Sequence, residues 1–161
     1  MITKENLLRL LQKETATTLK AMRAFPEDKL LFTPHERSRN AKRVIATFVL
    51  EMYLIEFYVF GEKIDRSVFQ TYSPPDLKTL IADFEKEISR VISMLEKLSD
   101  GEMTKSLEFA GKKYNTSDEF IMMMIHDQIH HRGQLTVYTR LAGGKVPSIY
   151  GPSADDASTN L

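Results

Sequence analysis

No cysteine occurs in the 161 residues. Disulfides, thiolate metal ligands and cysteine nucleophiles are therefore excluded together, a pattern that fits a reducing cytosol. Net charge is absent too. The 22 basic and 22 acidic residues cancel, which removes the electrostatic footprint of a nucleic-acid or anionic-membrane binder. Charges interrupt every apolar run well short of the ~20 residues a membrane span needs. The polar start Met1-Ile2-Thr3-Lys4-Glu5-Asn6 lacks the apolar core of a signal peptide. These absences predict a soluble, cytoplasmic protein with neither nucleic acid nor membrane as partner. A chain near this length buries roughly 70% of its unfolded surface, so it needs no metal simply to fold.

What is present is helical periodicity. Leu7, Leu8, Leu11, Thr15, Leu19 and Met22 recur at three-to-four spacing and predict a first helix from Glu5 to about Ala24, ended by Phe25-Pro26. A connector, Glu27 to Arg37, carries Leu30, Leu31 and Phe32 and should lie against the rest. A second helix is predicted from Ser38 to Phe60 on the stripe Val44, Phe48, Met52, Ile55 and Val59, with Gly61 as its C-terminal stop. Glu51 falls inside that stripe. A buried carboxylate without a partner is costly, so Glu51 should have one: a metal, a histidine, an arginine or water. Glu56 lies about 100° round from Ile55 and is expected to reach solvent.

Residues 62 to 72 read as a loop tethered by Val68-Phe69. Ser73-Pro74-Pro75-Asp76 is expected to open a third helix through a serine cap and first-turn prolines. Leu77, Leu80, Ile81, Phe84, Ile88, Val91, Ile92 and Leu95 carry it to Leu98, and Ser99-Asp100-Gly101-Glu102 closes it. Met103 to Tyr114 alternates weakly, as an extended connection or short hairpin would. Thr116 and Glu119 have the spacing of a capping box before a fourth helix that runs to Leu141 and stops at Ala142-Gly143-Gly144. Val146, Ile149 and Tyr150 give the tail something to dock with. The last few residues are expected to be disordered. The pattern predicts one all-α domain, a four-helix bundle with long connections over residues 1–161, its ordered core ending near 150.

Three of the four histidines cluster in that fourth helix, within His126-Asp127-Gln128-Ile129-His130-His131-Arg132-Gly133-Gln134. Imidazole is the side chain best suited to donate a neutral nitrogen to a transition metal or to move a proton near neutral pH. Residues four apart share a helix face, which makes two pairs: His126 with His130, and Asp127 with His131. If Phe120, Met124, Leu135 and Tyr138 anchor the helix, Asp127 and His131 look inward. The competing face, Met123, His126, His130, Val137 and Leu141, puts the other pair toward the core, a neighbouring helix or a second subunit.

The run His131-Arg132-Gly133-Gln134-Leu135, followed by Tyr138, Arg140, Leu141, Gly143 and Pro147, resembles the signature helix of the DinB/YfiT-like superfamily. The resemblance implies a four-helix bundle, often a homodimer. In many members a divalent metal is held by three histidines, one on the second helix and two, four apart, on the signature helix. Some members transfer thiol cofactors such as bacillithiol or mycothiol, and others isomerise or hydrolyse small substrates.

This chain departs from that pattern twice. Asp127 stands where the family usually has the first signature histidine, and Ala46 to Glu51 holds no histidine at all. His35 lies before the second helix and is a poor candidate for the third ligand. Three arrangements are open: a mixed site of Glu51, Asp127 and His131; His126 and His130 with Glu51; or a metal-free polar pocket around Asp127 and His131. Zinc, nickel, manganese or iron would suit the mixed site. Glu51 and Asp127 are then the candidate catalytic groups, as ligand or general base. Gly133 is expected to allow a close helix approach, Arg132 to be exposed, Gln134 and Tyr138 to hydrogen-bond within the bundle, and Met122, Met123 and Met124 to pack.

Two functions follow. One is a metal-dependent transferase or hydrolase acting on a small molecule, thiol-linked substrates included; the other is a non-catalytic, stress-associated binding bundle without a metal. Both predict a homodimer, because the apolar, methionine-rich faces exceed the needs of one small core.

Overall fold

In the computed structural model, which describes residues 2–156, four long helices carry the chain: α1 (Lys4–Arg23), α2 (Ala41–Val59), α4 (Leu77–Lys97) and α6 (Ser117–Leu141). Between them lie a 3₁₀ turn (Glu27–Lys29), the one-turn helices α3 (Val68–Thr71) and α5 (Asp100–Met103), and a hairpin of β1 (Leu107–Phe109) and β2 (Lys112–Tyr114). The disorder expected for the last residues concerns positions outside the described ones.

Each long helix packs chiefly on two others, α2 on α6 and α4, and α1 on α4 and α6. The cross-helix partners give the directions. Ile2 meets Asp118, Glu14 meets Arg132 and Pro26 meets Gly144, so α1 and α6 run parallel. Phe48 with Phe84 and Glu56 with Arg90 make α2 and α4 parallel as well. Tyr58 against Phe120 and Tyr138 against Arg39 make α2 and α6 antiparallel. Consecutive parallel helices cannot be joined by a short turn, which is why α2 and α4 are linked by the long connection 60–76.

The predicted second-helix stripe is buried throughout, and Phe120, Met124, Leu135 and Tyr138 anchor α6 as its bulky spacing requires. Leu8 and Leu19 of the first stripe are only half-buried, because α1 turns Glu14 and Thr18 toward α6 instead. Glu56 corrects the reading of α2. It is 0% exposed, because the α4 chain covers the stripe's edge and sets Arg90 against it at 3.3 Å.

The helix caps differ from expectation in three places. Asp76, not Ser73, caps α4, accepting from the Thr79 amide at 2.7 Å. The Thr116 hydroxyl makes no cap bond, and Glu119 reaches one residue further back to the Asn115 amide at 2.8 Å. A complete capping box forms at Ser99 and Glu102, where it starts α5 and does not merely end α4. Ala110 and Gly111 both take positive φ, 51° and 74°, the twist a two-residue hairpin loop needs. Through it Phe109 and Tyr114 reach the Phe120 ring, at 5.6 and 5.3 Å between centroids, and close one end of the α2–α6 seam. The tail docks through buried Val146, and Ser153 donates to the Val146 carbonyl at 2.6 Å.

Candidate metal centre

Glu51 sits midway along α2 and Asp127 and His131 midway along α6, so the antiparallel crossing sets them opposite one another. One ligand atom from each lies within 4.8 Å of the other two. His131 Nε2 is 3.7 Å from Asp127 Oδ2. Glu51 and His131 are buried and Asp127 is half-buried, which leaves one side of the cluster toward solvent. His126 and His130 are exposed, about 100° round α6 from Asp127 and His131, and lie outside the cluster. His35 is exposed on the α1–α2 connector, where its Nδ1 accepts from the Arg37 amide at 3.1 Å.

Both Glu51 oxygens are buried without a hydrogen-bond partner among the described residues. Burial, and then repulsion by Asp127, hold this carboxyl well above the ordinary carboxylate range, while Gln128 and the Arg39 guanidinium favour its ionised form. Such a group calls for a cation. A divalent ion bound by two carboxylates and an imidazole meets that demand, and three protein ligands leave coordination positions open, as catalytic sites do. The donor set present therefore fits a metal.

The His131 ring is oriented from behind. Its Nδ1 donates to Gln134 Oε1 at 2.9 Å, and Gln134 Nε2 donates in turn to His130 Nε2 at 3.0 Å. With the proton on Nδ1, the Nε2 lone pair is turned toward Asp127, which is the arrangement of a metal-ligating histidine supported by an outer hydrogen bond. Gln134 thus serves the histidines of its own helix, whereas Tyr138 reaches the Arg39 carbonyl at 2.9 Å. Arg39 Nη1 donates to Thr47 Oγ1 at 3.2 Å, one turn before Glu51.

Two signature residues overturn their expectation. Arg132 is fully buried, paired with Glu14 of α1 at 2.7 Å, because a polar pair replaces apolar packing on the α1–α6 seam. Gly133 is exposed, and a Cβ there would meet nothing within 4 Å, so no helix of this chain approaches it. The close approach belongs to Gly144, where a Cβ would strike Pro26 at 2.8 Å. The buried polar set Glu14, Thr18 and Gln128 went unpredicted. Glu14 and Thr18 do continue the Leu7, Leu11 series toward Ala21 at helical spacing, and that was the available signal.

Fold and site together define a helical bundle with a mixed carboxylate and imidazole centre between two of its long helices. The sequence matches the DinB family over residues 1–160, and the chain belongs to that family. A DinB-like protein from Bacillus cereus superposes with a TM-score of 0.80 at 26% identity, covering 91% of this chain and 97% of its own. YfiT from Bacillus subtilis, described as a probable metal-dependent hydrolase with an unusual four-helix bundle topology, superposes at 0.63 with 16% identity over 89% and 91% of the two chains. The uncharacterized protein YrdA of Bacillus subtilis is 33% identical over 89 residues, 54% of this chain and 53% of YrdA, so the match spans about half of that relative's length. Among the described residues no helix is long and apolar enough to cross a membrane.

Proposed function

We propose that the protein is a divalent-metal-dependent hydrolase acting on a small molecule, with Glu51, Asp127 and His131 as its ligands. One observation carries the reading: the convergence of these three side chains within 4.8 Å, around a buried Glu51 whose oxygens have no hydrogen-bond partner among the described residues. A bound divalent cation supplies Lewis acidity, polarising a substrate oxygen and making water acidic enough to attack near neutral pH. His131 contributes Nε2, with Gln134 holding its ring. Asp127 is half-exposed, so besides holding the ion it would be the carboxylate within solvent's reach to take a proton from water. Glu51, out of solvent's reach, acts as a ligand only. Transfer to a thiol would need the same metal centre with the thiol brought by the substrate, since the chain has no cysteine.

Elemental analysis of protein purified without chelator, before and after reloading, tests this. We expect close to one equivalent of a zinc, nickel, manganese or iron ion, lost when Asp127 and His131 are both replaced by alanine. Less than about a tenth of an equivalent after reloading would reject the site.

A metal-free binding pocket is the second reading, and it is favoured by the single inward imidazole, His126 and His130 both being exposed. It predicts that the Asp127/His131 double variant changes ligand binding or stability but no turnover. We also propose a homodimer. Val137 and Leu141 are 56% and 58% exposed on the α6 face that carries His126, His130 and Gly133, and a second copy would cover them. Light scattering should give about twice the 18.5 kDa chain mass, and a monomer at all concentrations would reject the proposal.

A further inference from the structure

Behind the metal centre, the α1–α6 seam holds a chain of polar side chains that ends at Glu51. Glu14, Thr18, Gln128 and Arg132 are all buried. At the outer end, the Tyr150 hydroxyl donates to Glu14 Oε2 at 2.5 Å, and Arg132 Nη2 donates to the same oxygen at 2.7 Å. Arg132 Nη1 donates to the Glu14 carbonyl at 3.0 Å and to Thr18 Oγ1 at 3.2 Å. A guanidinium only donates, so the Thr18 oxygen is the acceptor there and its own proton must point elsewhere. It points to Gln128 Oε1, 3.0 Å away.

That bond decides which way the Gln128 carboxamide faces. With its oxygen held by Thr18, its Nε2 and both N–H groups turn the other way, toward Glu51. Gln128 Nε2 and the two Glu51 oxygens are buried, and none of the three has a hydrogen-bond partner among the described residues. Buried donors and acceptors of this kind are costly unless they serve one another. The polarity runs one way throughout, from the Arg132 cation through hydroxyl and carboxamide to the carboxylate.

We propose that Gln128 is a positioning residue of the metal centre, its amide aimed at Glu51 by the Thr18 hydroxyl and Arg132, so that the Glu51 carboxylate is steered toward Asp127 and His131. This rests on the metal reading above. It gives the signature arginine a task at the site without contact with substrate, and it makes α1, which supplies no ligand, a part of the centre. The competing view is that these groups merely bind α1 to α6, in which case removing one changes stability alone.

Cobalt(II) binding to the full-length protein separates the two, because the ion's visible bands report ligand geometry. Thr18→Val removes the hydroxyl at nearly constant volume, Thr18→Ser keeps it, and Gln128→Met removes the amide. We expect Thr18→Val and Gln128→Met to weaken cobalt binding at least about tenfold and to shift the bands, with Thr18→Ser behaving as the unmodified protein. The metal-free protein provides a second measurement: Glu51→Gln should move the Gln128 side-chain amide resonances in a ¹⁵N–¹H spectrum. If the unmodified protein binds cobalt and both variants match it in affinity and spectrum, the proposal is overturned. If it binds no cobalt but the Gln128 amide still answers to Glu51→Gln, the metal reading fails and the Gln128–Glu51 coupling stands. An amide that does not respond rejects the coupling as well.

Discussion

Gln134 shows how much a single side chain contributes at this centre. It holds His131 by Nδ1 and, among the described residues, hydrogen-bonds to no other helix, so its loss should leave the bundle intact while freeing the ring. Gln134→Leu is expected to lower metal affinity by about 10- to 100-fold with little change in unfolding midpoint, as read by metal titration alongside thermal unfolding. Arg132 presents the opposite balance. Its guanidinium is buried against Glu14, and Glu14→Ala leaves that charge without its partner, which should destabilise the protein by about 3–5 kcal/mol. Denaturant unfolding measures this, and a loss below ~1 kcal/mol would mean that the Tyr150 and Thr18 hydroxyls and the residue-14 carbonyl, all bonded to Arg132, suffice without the carboxylate. The contrast marks what could be read in advance at this scale. A carboxylate at a core position, Glu51, was legible because periodicity predicts burial. The partner that turns Arg132 inward lies 118 residues away, and no local pattern reports it.

Among the elements, the four long helices were legible from their apolar stripes, but periodicity leaves the facing of α6 open between two stripes because the run Ile121 to Ile125 is apolar on every side; the structure buries the Phe120, Met124, Leu135 and Tyr138 stripe. Short-range signals did worse where two sites carried the same motif. Ser99–Glu102 and Thr116–Glu119 have identical capping-box spacing, yet only the first closes, and Glu119 accepts from the Asn115 amide. The hairpin was half legible for a related reason: its alternation is weak, and its loop has Ala110 where asparagine or glycine would announce the turn. Alanine at φ 51° costs roughly 1 kcal/mol that glycine does not. Ala110→Gly should recover part of that, raising stability by up to about 1 kcal/mol less the extra flexibility glycine gives the unfolded chain. Hydrogen exchange at Leu107 and Lys112 is the local measurement, and faster exchange in the variant would show that the loop is not strained.

At the scale of the whole molecule, the direction of the helices was beyond the sequence. Periodicity tells which face is buried and nothing of what covers it, so the parallel pairing of α2 with α4, and with it the burial of Glu56, depends on topology. That pairing sets Glu56 and Glu87, both buried, beside one another with Arg90 between them and Glu62, and with Lys86 on Glu87 at 3.1 Å. Burial, and then proton sharing with and repulsion by Glu87, push Glu56 from an ordinary value of 4.5 up to about 7. Between those values the folded state holds a proton that the unfolded state has released. The resulting stability is full below about 4.5 and is lost as the pH rises through about 7, on the order of 1–3 kcal/mol in all once solvent screening by the half-exposed Arg90 is allowed for. Glu51, also raised, adds a change of the same sign in the metal-free protein. Asp76, Glu102 and Asp155 act oppositely: hydrogen bonds from the backbone and from side chains hold them below their ordinary values, so their contribution disappears only in stronger acid. Stability should therefore peak near pH 4.5, where the two sets of groups balance, and decline up to about pH 7. Urea midpoints of the metal-free protein at pH 5.5 and pH 8 measure the decline, and Glu56→Gln, which cannot ionise, should remove a large part of it; an equal decline in that variant would exclude Glu56 as its source.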